Sequence, residues 1–171
     1  YKGFSIHFTF LTSTYNSDYD YYYKEMLSLI NEFKLDDFIN LDLHYYSNNE
    51  ILDFLSRMDA VIYPYQQSNE SSSASVRQGI ASGSRVMVTP ISIFDDVREV
   101  VDVLPGTSPE DMASGISKWI YANENFQNSE IKNDKIKLLS NWRNKHRFSN
   151  LSRRLSNLIS SLEVNKKFNQ I

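Results

Sequence analysis

The densest group of chemistry-bearing residues is Tyr65-Gln66-Gln67-Ser68-Asn69-Glu70-Ser71-Ser72-Ser73-Ala74-Ser75. It follows a strand-like run and opens a helix-like one. The first turn of a helix carries backbone N–H groups without intrahelical acceptors and a partial positive charge, a combination that suits phosphate. Small residues at 71–75 let a ligand come close to the backbone, and their hydroxyls add donors. The same residues equally suit a serine-rich cap in a surface loop, and the run by itself leaves both readings open.

Other groups have reactive spacing but a plainer explanation. Asp18-Tyr19-Asp20 has a D-x-D spacing able to hold a divalent metal, yet it lies just before a helix, where acids cap and complement the dipole. Thr12-Ser13-Thr14-Tyr15-Asn16-Ser17 follows the first strand and resembles a flavodoxin phosphate loop, but Tyr15 stands where that loop needs the backbone freedom of glycine. His7, His44 and His146 are scattered, and His7 reads as a structural residue of a strand. The cluster Tyr15, Tyr19, Tyr21, Tyr22 and Tyr23 reads as packing and solvent-facing rings. The chain has no cysteine, which excludes disulfides, thiolate catalysis and cysteine-ligated zinc.

The elements that must position these residues alternate. Strands are predicted over 4–11, 38–43, 60–65, 85–89 and 100–104. Helices are predicted over 21–33, from Ser47 or Asn48 to Met58, over 71–82 ending at Gly83, and from Ser108 to about Asn123. The first strand, aromatic and β-branched, is expected to be buried. Residues 124–133 read as loop, and the rest to about Leu162 as one or two amphipathic helices. Alternation of this kind argues for an α/β, Rossmann-like parallel sheet with helices on both faces. Ligands then bind beyond the carboxyl ends of the strands, so the loops at 12–17, 44–48, 65–73 and 90–96 are the ones to inspect. The 171 residues suit one sheet domain, 1–123, with a C-terminal helical segment, 124–171. A net charge of −3 gives no reason to expect nucleic acid as a partner. No apolar run reaches the roughly 20 residues of a membrane span, no signal peptide is visible, and we expect a cytoplasmic protein. Tyr1-Lys2-Gly3 enters the first strand without a starting Met, so we expect a piece of a longer chain.

Residues 58–97 resemble the C-terminal, donor-binding domain of the retaining group 1 glycosyltransferases of GT-B fold. Their motif E-x-F-G-L-x-x-x-E-A-x-A-x-G-x-P-V aligns without a gap on Glu70 to Val86, with Glu70 on the first Glu, Ala81 on a small residue, Gly83 on the later Gly and Val86 on the final Val. Met58-Asp59-Ala60-Val61-Ile62-Tyr63-Pro64-Tyr65 is similar to the family's A-D-V-x-V-x-P-S strand, and Ile93 to Val97 to the segment placed over the donor. Trp142 and Phe148 lie in a tail similar to the one that crosses back to the N-terminal domain. Among the departures from the motif, Gln78 stands for the second Glu, Ser73 for Gly and Arg85 for Pro.

The resemblance implies transfer of a hexose from a nucleotide diphosphate sugar to a glycan, lipid or protein acceptor, as in polysaccharide biosynthesis. Glu70 would hold the donor sugar hydroxyls as the catalytic residue. The helix start with Ser71, Ser72, Ser73, Ala74 and Ser75 would take the diphosphate and stabilise the charge that builds on it. Gln78 would contact the ribose as a neutral acceptor, and His44 and Tyr45 would border the base. No metal and no cofactor is expected. An N-terminal acceptor-binding domain and a cationic pair, both lying upstream in the family, would be needed, and we expect this stretch alone to be inactive. Non-catalytic nucleotide-sugar binding is the alternative, with a flavodoxin-like domain third. The basic C-terminal run from Lys132 to Arg154 reads as a solvated or docked face, with peripheral membrane contact as its alternative.

Overall fold

The computed structural model describes residues 6–12, 17–125 and 129–168. Every recorded strand pairing among them is parallel, and the chain divides into two compact units, Tyr1–Asn48 and Asn49–Ile171.

The first unit holds strand β1 (Phe8–Leu11), helix α1 (Ser17–Glu32) and strand β2 (Ile39–Asp42). β1 pairs with β2 in register Phe8 to Ile39 and Leu11 to Asp42. α1 ends where Lys34 takes a left-handed φ of 55°. There Leu35 N–H donates to the Ile30 carbonyl (2.9 Å) and Lys34 N–H to that of Asn31 (3.2 Å), the paired bonds of a Schellman stop. The buried first strand predicted from its apolar residues is not what forms. Phe8, Phe10 and Leu11 remain 36%, 41% and 37% exposed, and among the described residues of this unit Ile30 is the one buried hydrophobic side chain. Two strands and one helix offer too few apolar faces to close a core.

The second unit holds helix α2 (Asn48–Ser56), strand β3 (Ala60–Tyr63), helix α3 (Ala74–Ser82), strand β4 (Arg85–Val88), a 3-10 segment (Ser92–Val97), strand β5 (Asp102–Val103) and helices α4 (Pro109–Asn125), α5 (Ser129–Lys145) and α6 (Phe148–Phe168). Its sheet runs β3-β4-β5, with β4 central. Val86, Met87 and Val88 of β4 are all buried, as expected of a parallel strand covered on both faces. The core is built from Val76 and Ile80 of α3, Val86 and Val88, Ile93, Phe94 and Val97 of the 3-10 segment, Val100, Val101 and Trp142 of α5. α4 opens on a capping pair: Ser108 Oγ accepts from the Asp111 N–H (3.1 Å) and donates to its carboxylate (3.0 Å).

The C-terminal segment therefore contributes to this unit's core through Trp142, with Leu139 packed beside it. The loop predicted at 124–133 is largely helix, since α4 reaches Asn125 and α5 starts at Ser129. Polarity of sequence alone does not distinguish a loop from a helix. On α6, Leu155, Leu158 and Leu162 are more than half exposed. No described helix is long and apolar enough to cross a membrane.

Candidate functional site

The loop from Pro64 to Ser73 leaves the carboxyl end of β3 and enters α3. The helix was predicted from residue 71, but Ser73 keeps an extended backbone (φ −101°, ψ 124°) and serves as the N-cap. Its Oγ accepts from the Val76 N–H at 3.2 Å, and the residue is buried. Ser73 stands where the glycosyltransferase motif has glycine. Its side chain turns inward to cap the helix and is held there by that bond. The N–H groups of Ala74 and Ser75 occupy the first two helical positions, which have no intrahelical acceptor. Ala74 and Ser75 are exposed, as are Glu70, Ser71 and Ser72. Glu70 N–H donates to Ser68 Oγ at 3.1 Å, a local turn that orders the backbone ahead of the helix. Gln78 lies half-buried one turn further along α3.

Three contacts fix this loop and helix, and sequence reading missed all of them. Tyr63, the last residue of β3, donates its hydroxyl to the Ser75 carbonyl at 2.6 Å. Burial pushes that hydroxyl well above the ordinary tyrosine range, so it remains a neutral donor. The ring lies against Gly79, where an added Cβ would sit 2.7 Å from Tyr63 Oη and 3.1 Å from Val86 Cγ2. Glycine thus stands where the motif has alanine because a tyrosine fills the space. Second, buried Thr89 donates its hydroxyl to the Tyr65 carbonyl, tying the end of β4 to the start of the loop. Third, Arg77 Nη1 donates to the Ser73 carbonyl at 2.7 Å, and its Nη2 pairs with Asp96. The helix start is thereby joined to the 3-10 segment, whose Phe94 also packs on Tyr65 with ring centroids 5.3 Å apart. The Thr89-Pro90 step after an apolar strand was the one local hint of a tied strand end.

Arg85, which stands for the motif's Pro, has a structural role. Its Nε lies 2.5 Å and its Nη2 3.4 Å from the two oxygens of Asp102, a forked pair joining β4 to β5. Gly83 ends α3 with φ 92°, as predicted for a left-handed cap.

His44 and Tyr45 belong to the first unit, just past β2. Asp42 organises this turn. Its carboxylate accepts from the His44 N–H (2.8 Å) and the Tyr46 hydroxyl (2.5 Å). The His44 and Tyr46 rings meet edge to face at 4.6 Å. The Tyr46 bond, followed by the His44 N–H, holds the Asp42 carboxyl below the usual carboxylate range. Tyr45 is exposed. Asp18 and Asp20 fall in the first turn of α1, whereas residues 13–16 of the flavodoxin-like loop lie outside the described residues.

By sequence, no family model and no curated protein matches the chain. Solved structures do match. A glycosyltransferase from Rickettsia africae superposes with a TM-score of 0.65 at 15% identity, over 82% of this chain and 36% of that one. HepE of Anabaena, solved in complex with UDP, gives 0.66 at 13% identity over 91% and 41%. Sucrose-phosphate synthase of Thermosynechococcus elongatus gives 0.63 at 14% identity over 90% and 38%. The chain thus has an α/β fold of parallel strands flanked by helices, like one half of these glycosyltransferases, and it spans about two fifths of their length or less.

Proposed function

We propose that this chain is the donor-binding part of a retaining glycosyltransferase, equivalent to the C-terminal half of a GT-B enzyme. The activity would be transfer of a hexose from a nucleotide diphosphate sugar to a glycan, lipid or protein acceptor. The observation that carries the reading is the β3–loop–α3 unit, in which an exposed carboxylate, Glu70, directly precedes a capped helix start with exposed small residues. In this reading the diphosphate lies against the N–H groups of Ala74 and Ser75 and the hydroxyls of Ser71 and Ser72. Charge developing on the leaving phosphate meets fixed dipoles that need no reorganisation. Glu70 accepts from the sugar hydroxyls and Gln78 from the ribose. An N-terminal domain supplies the acceptor site and the cations. Neither a metal nor a cofactor is needed, because helix end and cationic side chains take over that charge.

Calorimetric titration of the full-length protein with UDP, GDP and ADP sugars tests this. One of them should bind, and Glu70→Ala should abolish transfer while the fold is kept. Absence of binding by all three removes the basis of the proposal; transfer surviving in Glu70→Ala refutes the residue assignment. A second reading, a non-catalytic nucleotide-sugar-binding module, draws on Gln78, which lacks the charge of the motif's second Glu. Restoring it with Gln78→Glu should tighten nucleotide binding about three- to tenfold if the ribose contact exists, since charged acceptors bond more strongly.

A further inference from the structure

Beyond the loop at Glu70, the second unit carries a cationic cleft. A cleft of about 620 Å³ is lined by Arg77 of α3, Trp142 and Arg143 of α5, His146 and Arg147 of the following turn, and Leu151 of α6. Its lining contains three arginines and no carboxylate. The charges are not equivalent. Arg77 is paired with Asp96. Arg143 sits over the carboxyl end of α3, its Nη1 2.7 Å from where a Cβ on Gly83 would be. A helix end supplies roughly half a negative charge. Among the described residues, neither Arg143 nor Arg147 has a carboxylate within ion-pairing distance. The cleft is left with a surplus of about one and a half positive charges. Its floor is rigid. Trp142 is a core residue, the His146 ring stacks on it at 4.0 Å and 25°, and His146 Nδ1 lies 2.8 Å from the Trp142 carbonyl oxygen.

We propose that this cleft binds a phosphate-bearing anion of diphosphate size. Two guanidinium groups lining one cleft, Arg143 in the last turn of α5 and Arg147 in the connection to α6, match the several oxygens of such a group, which they can bond bidentately. A carboxylate ligand would satisfy one fork only, and the surplus charge exceeds what it carries. The anion can come from a soluble phosphate ester or from a lipid headgroup, since both present the same oxygens.

The test uses the protein with inorganic pyrophosphate in calorimetry, and with vesicles of phosphatidylcholine alone or mixed with phosphatidic acid in sedimentation. Binding of pyrophosphate should be salt-dependent and should weaken about tenfold or more in Arg143→Gln/Arg147→Gln, each lost charge-assisted contact being a substantial part of the affinity. Loss of phosphatidic acid binding in the same variant, without pyrophosphate binding by the parent, supports the site and assigns it to a lipid. Thermal melting checks that the double variant folds; if it does not, Arg147→Gln alone, at an exposed position, gives the reading. Failure of the parent to bind either probe overturns the proposal. So does binding that the arginine substitutions leave unchanged.

Discussion

At the level of single residues, three of the departures from the glycosyltransferase motif have a local physical partner. Ser73 caps α3, Arg85 holds Asp102, and Gly79 makes room for Tyr63. The last contact makes a prediction. Gly79→Ala gains up to about 1 kcal/mol of helix propensity but forces a methyl group against the Tyr63 hydroxyl, an overpacking that costs about 1–3 kcal/mol. Net destabilisation is expected in the parent and a smaller or reversed effect in Tyr63→Phe, measured as a double-mutant cycle by urea denaturation. Asp42 gives a pH prediction. Its carboxyl is more acidic in the folded turn than in the unfolded chain, so its contribution is present above the ordinary aspartate pKa of about 3.9 and is lost as pH falls through the lower folded value. The Asp42 side-chain carboxyl carbon resonance, followed by NMR from pH 6 downward (roughly to pH 2), should titrate with a midpoint below that ordinary value. A midpoint at or above the ordinary value would contradict the bond arrangement.

At the level of elements, caps and stops carry separable amounts of stability. Ser73→Ala removes the acceptor for the Val76 N–H inside a buried site and should cost about 1–2 kcal/mol. Because the cap also sets where the helix starts, the same change should weaken nucleotide-sugar binding if the diphosphate lies there. Lys34 occupies a left-handed position that favours glycine, so Lys34→Gly should stabilise the protein by about 0.5–1 kcal/mol in chemical denaturation. Phe94 is fully buried and links the 3-10 segment to Tyr65; Phe94→Ala should cost about 3–5 kcal/mol and loosen the loop it supports.

At the level of the whole molecule, burial is unevenly shared. All buried hydrophobic residues recorded, apart from Ile30, lie in Asn49–Ile171. A chain of residues 49–171 should therefore melt cooperatively by circular dichroism, whereas residues 1–48 alone should show no cooperative transition, being near the size at which a core cannot close. A cooperative melt of the short piece would contradict this division. The C-terminal segment is part of the same accounting, since removing α5 takes Trp142 out of the core and removes the packing of α5 on α3.

The sequence by itself determined the order of elements, the parallel α/β class and the Glu70–Val86 segment, because those rest on local patterns: strand-length apolar runs, the Ser108-Pro109-Glu110-Asp111 helix start and the left-handed Gly83. Even the loop–helix carrying the candidate site was legible, since its residues are contiguous. Only the tertiary structure decided how that helix is held. Tyr63 and Ser75 are 12 positions apart, Thr89 and Tyr65 are 24, and Arg77 and Asp96 are 19. Pairings at such separations leave no periodic trace. The exposure of β1 was equally hidden, because an aromatic strand looks the same in sequence whether or not other elements cover it. The cationic cleft belongs with these: its arginines come from α3 and from the end of α5, and packing of α5 on α3 through the buried Trp142 is what brings them together.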